Sequence, residues 1–320
     1  MAKVLRKRYP NAHIAMLIKR YTREIAEDDG AIDQLIFYDD ENGLVPLTHL
    51  VATLRGQKFD IVFHTYPRFR LALVTWIARI PLRVGTGYRW YSFLFNRKVY
   101  DHRKDAKFHE LEYNLRLLKS IGMEVDAKDV PPEMEVRQPV LDSVRLFLRE
   151  RGIPDSSKIV IIHPGSGGSA REWSARKFGE LAAKLLKHEI VRVVITGGKR
   201  EQNLVDEVRN IAGEGAISVV NALNLREYAA LAKRASLFIG NSTGPLHIAA
   251  AVGTPVVGLY PQVTALSAAR WGPFTERKTL FIPKDKPINC DQCVVKKSKI
   301  CDCMETISVD EVYAGAVKYL

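Results

Sequence analysis

No stretch of this 320-residue chain is apolar over the ~20 residues that a membrane-spanning helix needs. The nearest approach, Leu71–Ile80, is short and carries Arg79. The first residues offer no apolar signal core, because Lys3, Arg6, Lys7 and Arg8 crowd them. Cysteine is scarce: there are four, all between Cys290 and Cys303, which excludes the disulfide framework of a small secreted domain. Acidic residues are in deficit, 36 against 48 Lys and Arg, leaving a net charge of +12. That surplus favours a negatively charged partner: a phosphorylated small molecule, a nucleic acid or an anionic membrane surface. Low-complexity segments and short repeats are missing too. These absences together point to a cytoplasmic protein. The 47% hydrophobic content makes it globular, and the length suits two domains of about 150 residues each.

What is present is an alternation of apolar runs. In the first part the spacing predicts strands at His13–Ile18, Gln34–Tyr38 and Asp60–His64, with helices at Leu47–Arg55 and Arg68–Arg79. A short strand and turn at Arg83–Gly87 leads into an aromatic, basic stretch, Tyr88–Tyr100. Leu111, Leu115 and Leu118 then mark a helix over His109–Ile121, closed by Gly122. Residues 126–138 (DAKDVPPEMEVRQ) are charged, proline-marked and nearly free of apolar pattern, so they read as a linker. The expected domains are therefore residues 1–138 and 139–320. The second alternates more cleanly, through strands at Lys158–Ile162, Val191–Thr196 and Ala216–Val220. Its helices are expected at Leu141–Arg151, Arg176–Lys187, Glu201–Ile211 and Leu225–Lys233. This is the α/β class, with a doubly wound parallel sheet.

The second half is organised around Leu237–Pro261 (LFIGNSTGPLHIAAAVGTPVVGLYP). Two short apolar runs, Leu237–Ile239 and Pro255–Leu259, flank a polar turn and a small-residue helix that opens with Pro245 and ends at Gly253. Ligands of such sheets sit at the carboxyl ends of strands, against helix N-termini that attract phosphate. Asn241, Ser242, Thr243 and Gly244 occupy that place, and His247 lies in the first helical turn. A second loop, His163–Ser169, holds Gly165, Gly167 and Gly168 with Ser166 among them, and Arg171 and Trp173 follow. Its spacing matches neither a P-loop nor G-x-G-x-x-G, yet its glycines allow backbone amides close to an anion. A third loop, Gly197-Gly198, is followed by Glu201, a carboxylate suited to accepting from ribose hydroxyls. Taken singly, each loop reads equally well as a turn or a helix cap. What groups them is that all three leave one edge of one sheet.

Together, HPGSGGSAREW, ITGGKREQ, GNSTGPLHIAAAVGTPVVGLYP and the tail CDQCVVKKSKICDCMETISVDEV resemble the heptosyltransferases of glycosyltransferase family nine, which build the lipopolysaccharide inner core. RVGTGYR (Arg83–Arg89) and HELEYNLRLLKSIG (His109–Gly122) extend the resemblance forward. It implies a GT-B fold, two Rossmann-like domains facing a cleft. In that fold a nucleotide-diphosphate sugar of the ADP-heptose kind binds the second domain, and an acidic glycolipid acceptor binds the first. It implies no cofactor. By carry-over, Ser166, Gly167, Arg171, Gly198, Glu201, Asn241, Ser242, Thr243, Gly244 and His247 form the donor site, with Arg171 on the diphosphate and Glu201 on the ribose. Arg171 stands where the family usually has lysine, and Ser242 where many members have aspartate, which leaves the sugar open. No D-x-D triplet occurs, in keeping with metal-free transfer.

The family opens with a strand, a glycine-aspartate loop and a helix, and that aspartate is the expected base. Here Ala2–Tyr9 resembles the helix with nothing before it, so the expectation is that this first strand and loop are missing. No residue receives the base assignment. The cysteines Cys290, Cys293, Cys301 and Cys303 could hold zinc, but the single residue between the last two is tight. Reduced structural thiols are the first reading. The basic residues of the first half, from Arg68 to Lys104, would suit an acidic acceptor and peripheral contact with an anionic membrane. Two rivals remain in view. One is a non-catalytic nucleotide-sugar-binding protein; the other is a nucleic-acid-binding protein, which charge suggests and no nucleic-acid fold signature supports.

Overall fold

The computed structural model describes residues 1–284, 288–289 and 302–320. The chain forms two compact units, Met1–Val130 and Pro131–Leu320. The segment that reads as a linker is divided between them, and Met134 N–H donates to Ala251 O at 2.9 Å within the second unit.

The first unit starts with helix α1 (Ala2–Arg8), strand β1 (Ala15–Ile18) and strand β2 (Gln34–Phe37). Helix α2 (Leu47–Gln57), β3 (Ile61–Phe63), α3 (Phe69–Ile77), β4 (Leu82–Thr86), β5 (Arg97–Val99) and α4 (Glu110–Leu115) follow. β1 and β2 pair in parallel, as do β3, β4 and β5, but the two sets are separate sheets. One core joins them all the same: Ile36 of β2 packs with Leu50, Val51 and Leu54 of α2 and with Val74 of α3. The helix expected over His109–Ile121 tightens into a 3₁₀ helix from Arg116 and ends at Gly122, φ +75°. Ser120 Oγ donates to Leu117 O at 2.7 Å, a side-chain bond that competes with the α-helical pattern.

The second unit runs α5 (Gln138–Arg149), β6 (Lys158–His163), α6 (Ala175–Leu185), β7 (Val191–Gly197), α7 (Gln202–Ala212) and β8 (Ala216–Val220). It continues with α8 (Leu225–Arg234), β9 (Leu237–Asn241), α9 (Gly244–Ala251), β10 (Val256–Leu259), β11 (Lys278–Phe281) and α10 (Val309–Val317). The six strands are all parallel in the order β8-β7-β6-β9-β10-β11. That is the doubly wound order, and its reversal point lies between β6 and β9, where such sheets bind ligands. β6 and β9 read as unbroken apolar runs because both faces are covered by helices. Ile159, Val160, Ile161, Ile162, Leu237, Phe238 and Ile239 are fully buried. Each strand therefore delivers its next loop to one edge at a fixed height.

Candidate functional site

β6 ends at His163, β7 at Gly197 and β9 at Asn241, so the three loops open side by side. They enclose a cavity of about 330 Å³ within the second unit, lined by His163, Ser166, Gly167, Thr196, Gly197, Gly198, Glu201, Thr243, Gly244 and Pro245. Its far wall comes from Val219, Asn221, Ala222, Leu223, Leu225 and Tyr228.

Each glycine of the first loop has its own reason to be there. Gly167 (φ +56°) and Gly168 (φ +85°) turn through the left-handed region. At Gly165 a Cβ would lie 2.0 Å from Glu201 Oε1, so only glycine lets that carboxylate close in. Glu201 accepts from Gly198 N–H at 2.8 Å and from Gly167 N–H at 3.2 Å. It thus clamps two of the loops together at the cavity. Glu172, which the sequence does not single out, accepts from Ser166 N–H at 3.0 Å and from Ser166 Oγ at 2.5 Å. Its neighbours in the loop also bond inward: Ser169 Oγ donates to Ser166 O at 2.7 Å. The loop is held in shape by its own residues.

At the base of the cavity lies a buried polar set. His163 Nδ1 is 2.9 Å from Thr196 Oγ1, and His163 Nε2 is 3.9 Å from Glu201. Burial pulls the His163 pKa down to about 4, against the opposing pull of Glu201, so the ring is neutral near pH 7. Burial likewise pushes the Tyr228 phenol up, with the Thr196 hydroxyl opposing, so Tyr228 remains a protonated hydrogen-bond donor. The apolar wall beside it is fixed by a capping box: Asn224 Oδ1 accepts from Glu227 N–H at 2.9 Å, and Glu227 accepts from Asn224 N–H at 3.0 Å.

On the opposite side, Thr243 caps α9 without a side-chain cap bond. Its hydroxyl is buried, with no partner among the described residues. That hydroxyl and the positive end of α9 make a place for an anion. The wall from Val219 to Leu225 makes a slot for a flat apolar group, and Glu201 lies between the two. The geometry therefore suits a phosphorylated nucleoside.

Of the residues singled out from sequence, Ser166, Gly167, Gly198, Glu201, Thr243 and Gly244 meet in this lining. Arg171, Asn241, Ser242 and His247 do not. Arg171 is buried at the end of the first loop. Asn241 is wholly buried as a brace, accepting from Trp173 N–H at 3.1 Å and donating to Pro164 O at 2.7 Å. Ser242 sits against the hydroxyl of Tyr260, and His247 is half-buried on α9. Thr196, Tyr228 and the 219–225 wall escape the sequence reading because they line the site from separate strands and helices. A cue for His163 lay in its position as the first residue of the glycine loop. Cys290, Cys293 and Cys301 lie outside the described residues, and Cys303 is buried in the core with Met304 and Ile307. Among the described residues, no group of three or more His, Cys, Asp or Glu side chains could hold a metal ion. No described helix is long and apolar enough to cross a membrane.

The family profile described as "Glycosyltransferase family 9 (heptosyltransferase)" matches residues 47–302. The chain is 26% identical over 286 residues to lipopolysaccharide heptosyltransferase 3 of Escherichia coli K12, covering 87% of this chain and 81% of that protein. In fold it is similar to a glycosyl transferase family 9 protein of Veillonella parvula, with TM-score 0.83, 22% identity, and 99% and 91% of the two chains covered. It is also similar to E. coli heptosyltransferase WaaC with ADP, with TM-score 0.70, 14% identity, and 100% and 94% covered. These structures share the GT-B fold. A profile that spans most of both units, over the three loops of the cavity, leaves one conclusion: the chain belongs to glycosyltransferase family 9 and is a transferase of the heptosyltransferase-like kind.

Proposed function

We propose that the protein moves a heptose-like sugar from an ADP-sugar to a lipopolysaccharide-core or related acidic glycan, with inversion at the anomeric carbon and without a metal ion. The cavity at the strand reversal point carries this reading. It offers an anion cradle at Thr243 and Gly244, a carboxylate at Glu201, and an apolar slot at Val219, Leu223 and Leu225. These match a diphosphate, a ribose and a base in that order along the site. ADP in the WaaC structure and the lipopolysaccharide named for the E. coli relative support the donor and acceptor classes.

In this reading the acceptor hydroxyl attacks the anomeric carbon and gives its proton to a general base, while the bond to the diphosphate breaks and that electron pair leaves on a diphosphate oxygen. Charge develops on that oxygen, so preorganised donors there lower the barrier most. The N-terminus of α9 and the Thr243 hydroxyl, both in the lining, are assigned to it, together with Arg171, which is buried at the end of the 163–169 loop outside the lining and would turn toward the diphosphate when it binds. Glu201 orients the ribose, trading its two amide bonds for hydroxyl donors. Calorimetry with ADP, UDP and GDP tests the reading: ADP binds best, and Arg171→Ala loses about 1.5–3 kcal/mol, the range for a hydrogen bond to a charged group. Equal affinity for all three, or an unchanged Arg171→Ala, would overturn the assignment. Product formation from an ADP-sugar separates the enzyme from a binding protein.

A further inference from the structure

The first unit holds a hollow of its own, about 240 Å³, at the C-terminal ends of α2 and α3. Its lining runs into the starts of β3 at Ile61 and β4 at Leu82. Open α/β sheets hold their ligands at the opposite edge, where strands end. Three cations, Arg55, Lys58 and Arg79, line the hollow with one carboxylate, Asp60. Arg55 Nη2 donates to Ile77 O at 2.7 Å, which ties α2 to the last residue of α3. The side chains of Lys58, Asp60 and Arg79 make no hydrogen bond or ion pair among the described residues.

Both of those cations stand where the backbone favours glycine. Lys58 (φ +52°) and Arg79 (φ +61°) follow their helices in the left-handed region, which a Cβ disfavours and glycine enters freely. Helices that close in this way do so mostly on glycine. Among the described residues five that are not glycine have a positive φ. Two of them meet in this hollow, and a third, Asn221, lines the cavity of the second unit. Backbone strain of this kind gathers at ligand sites. A cation beyond a helix C-terminus also complements the dipole, yet neither Lys58 nor Arg79 reaches a helix-end carbonyl, whereas Arg55 does.

We propose that this hollow binds a small phosphorylated sugar, with its phosphate on Arg55, Lys58 and Arg79 and a hydroxyl on Asp60. The inference is independent of the donor site and of the transfer reaction. The volume falls below the ~300–1,000 Å³ of drug-sized pockets, so the occupant is small. Guanidinium and ammonium groups converging on one point suit a phosphate. A bare anion would leave Asp60 facing a like charge, while a sugar supplies it with hydroxyl donors. Phe59 and Ile80 in the lining offer an apolar surface to the sugar ring.

Calorimetry on the full chain with glucose 6-phosphate, glucose and inorganic phosphate tests this. The ester should bind, inorganic phosphate more weakly, and glucose not at all. Lys58→Gly with Arg79→Gly should weaken the ester at least about tenfold and yet raise the melting temperature, because glycine relieves both left-handed positions. Asp60→Ala should erase the preference for the ester over inorganic phosphate. No binding of the ester, an ester no tighter than phosphate, or an undiminished ester affinity in the double-glycine variant would each overturn the proposal. A lower melting temperature with unchanged affinity would make the two cations helix caps. Retention on phosphatidylglycerol vesicles without any response to the soluble ester would overturn it as well.

Discussion

The two units are built from the same alternation of strand and helix, yet they spend their sequence differently. The second buries its strands on both faces and keeps its polar groups at the strand ends, around the cavity. The first has three small sheets, leaves aromatic rings in solvent and uses guanidinium groups as cross-links. Arg83 donates from Nε to Leu94 O at 2.9 Å, and Arg116 grips Asp101 at 2.7 and 2.8 Å. Specific recognition of a small ligand needs a rigid frame, because donors must be held to fractions of an ångström.

The comparison breaks most visibly on truncation. Phe178 of α6, fully buried with its ring edge-on to Trp173 at 5.0 Å, should cost about 3–5 kcal/mol as Phe178→Ala. Trp90→Ala should stay within about 0.5 kcal/mol. Denaturant unfolding of the two variants measures both, and similar losses would mean that the first unit packs as the second does.

Acid should act on both units through buried histidines. Burial holds His163 near a pKa of about 4, and burial with Arg83 nearby does the same for His64. An unfolded histidine titrates near 6.5. Both are therefore depressed, so their stability is intact above pH ~6.5 and drains away as pH falls from there toward 4. The loss is on the order of 3 kcal/mol each as an upper bound. Melting curves across that window check it, and His64→Gln should flatten only the portion belonging to the first unit.

A smaller effect isolates the anion cradle. Thr243→Val removes an unpartnered hydroxyl, so the free protein should melt as before while ADP binds about 0.5–1.5 kcal/mol more weakly. A fall in melting temperature without loss of affinity would make Thr243 a packing residue. The finest test is amide exchange. The fully buried strands β6 and β9 should protect their amides longest, and β1 and β3, in small sheets with open edges, should exchange earlier.

Much of this was legible in the chain itself. Period and punctuation located α9, with Pro245 near its start and Gly253 beyond its end, because both residues act through local backbone geometry. The glycine loop was legible as a loop for the same reason. What each glycine does was not: Gly165 answers to Glu201, 36 residues away, and spacing carries no record of that approach. Asn241 shows the converse. Its place in a signature loop suggests a ligand contact, while the fold uses its amide to tie β9 to the glycine loop.

Local chemistry thus settled the α/β class, the order of elements and the three loops, since propensity and patterning act over a few residues. Tertiary structure decided that Glu201 clamps two of those loops, that Tyr228 and the 219–225 wall close the cavity, and that burial keeps His163 neutral. It also decided that Trp76, Trp90 and Phe93 face outward while Tyr91, Phe95 and Tyr113 turn inward. Those outcomes depend on burial and on distances between residues far apart in sequence, and such quantities exist only once the chain has packed.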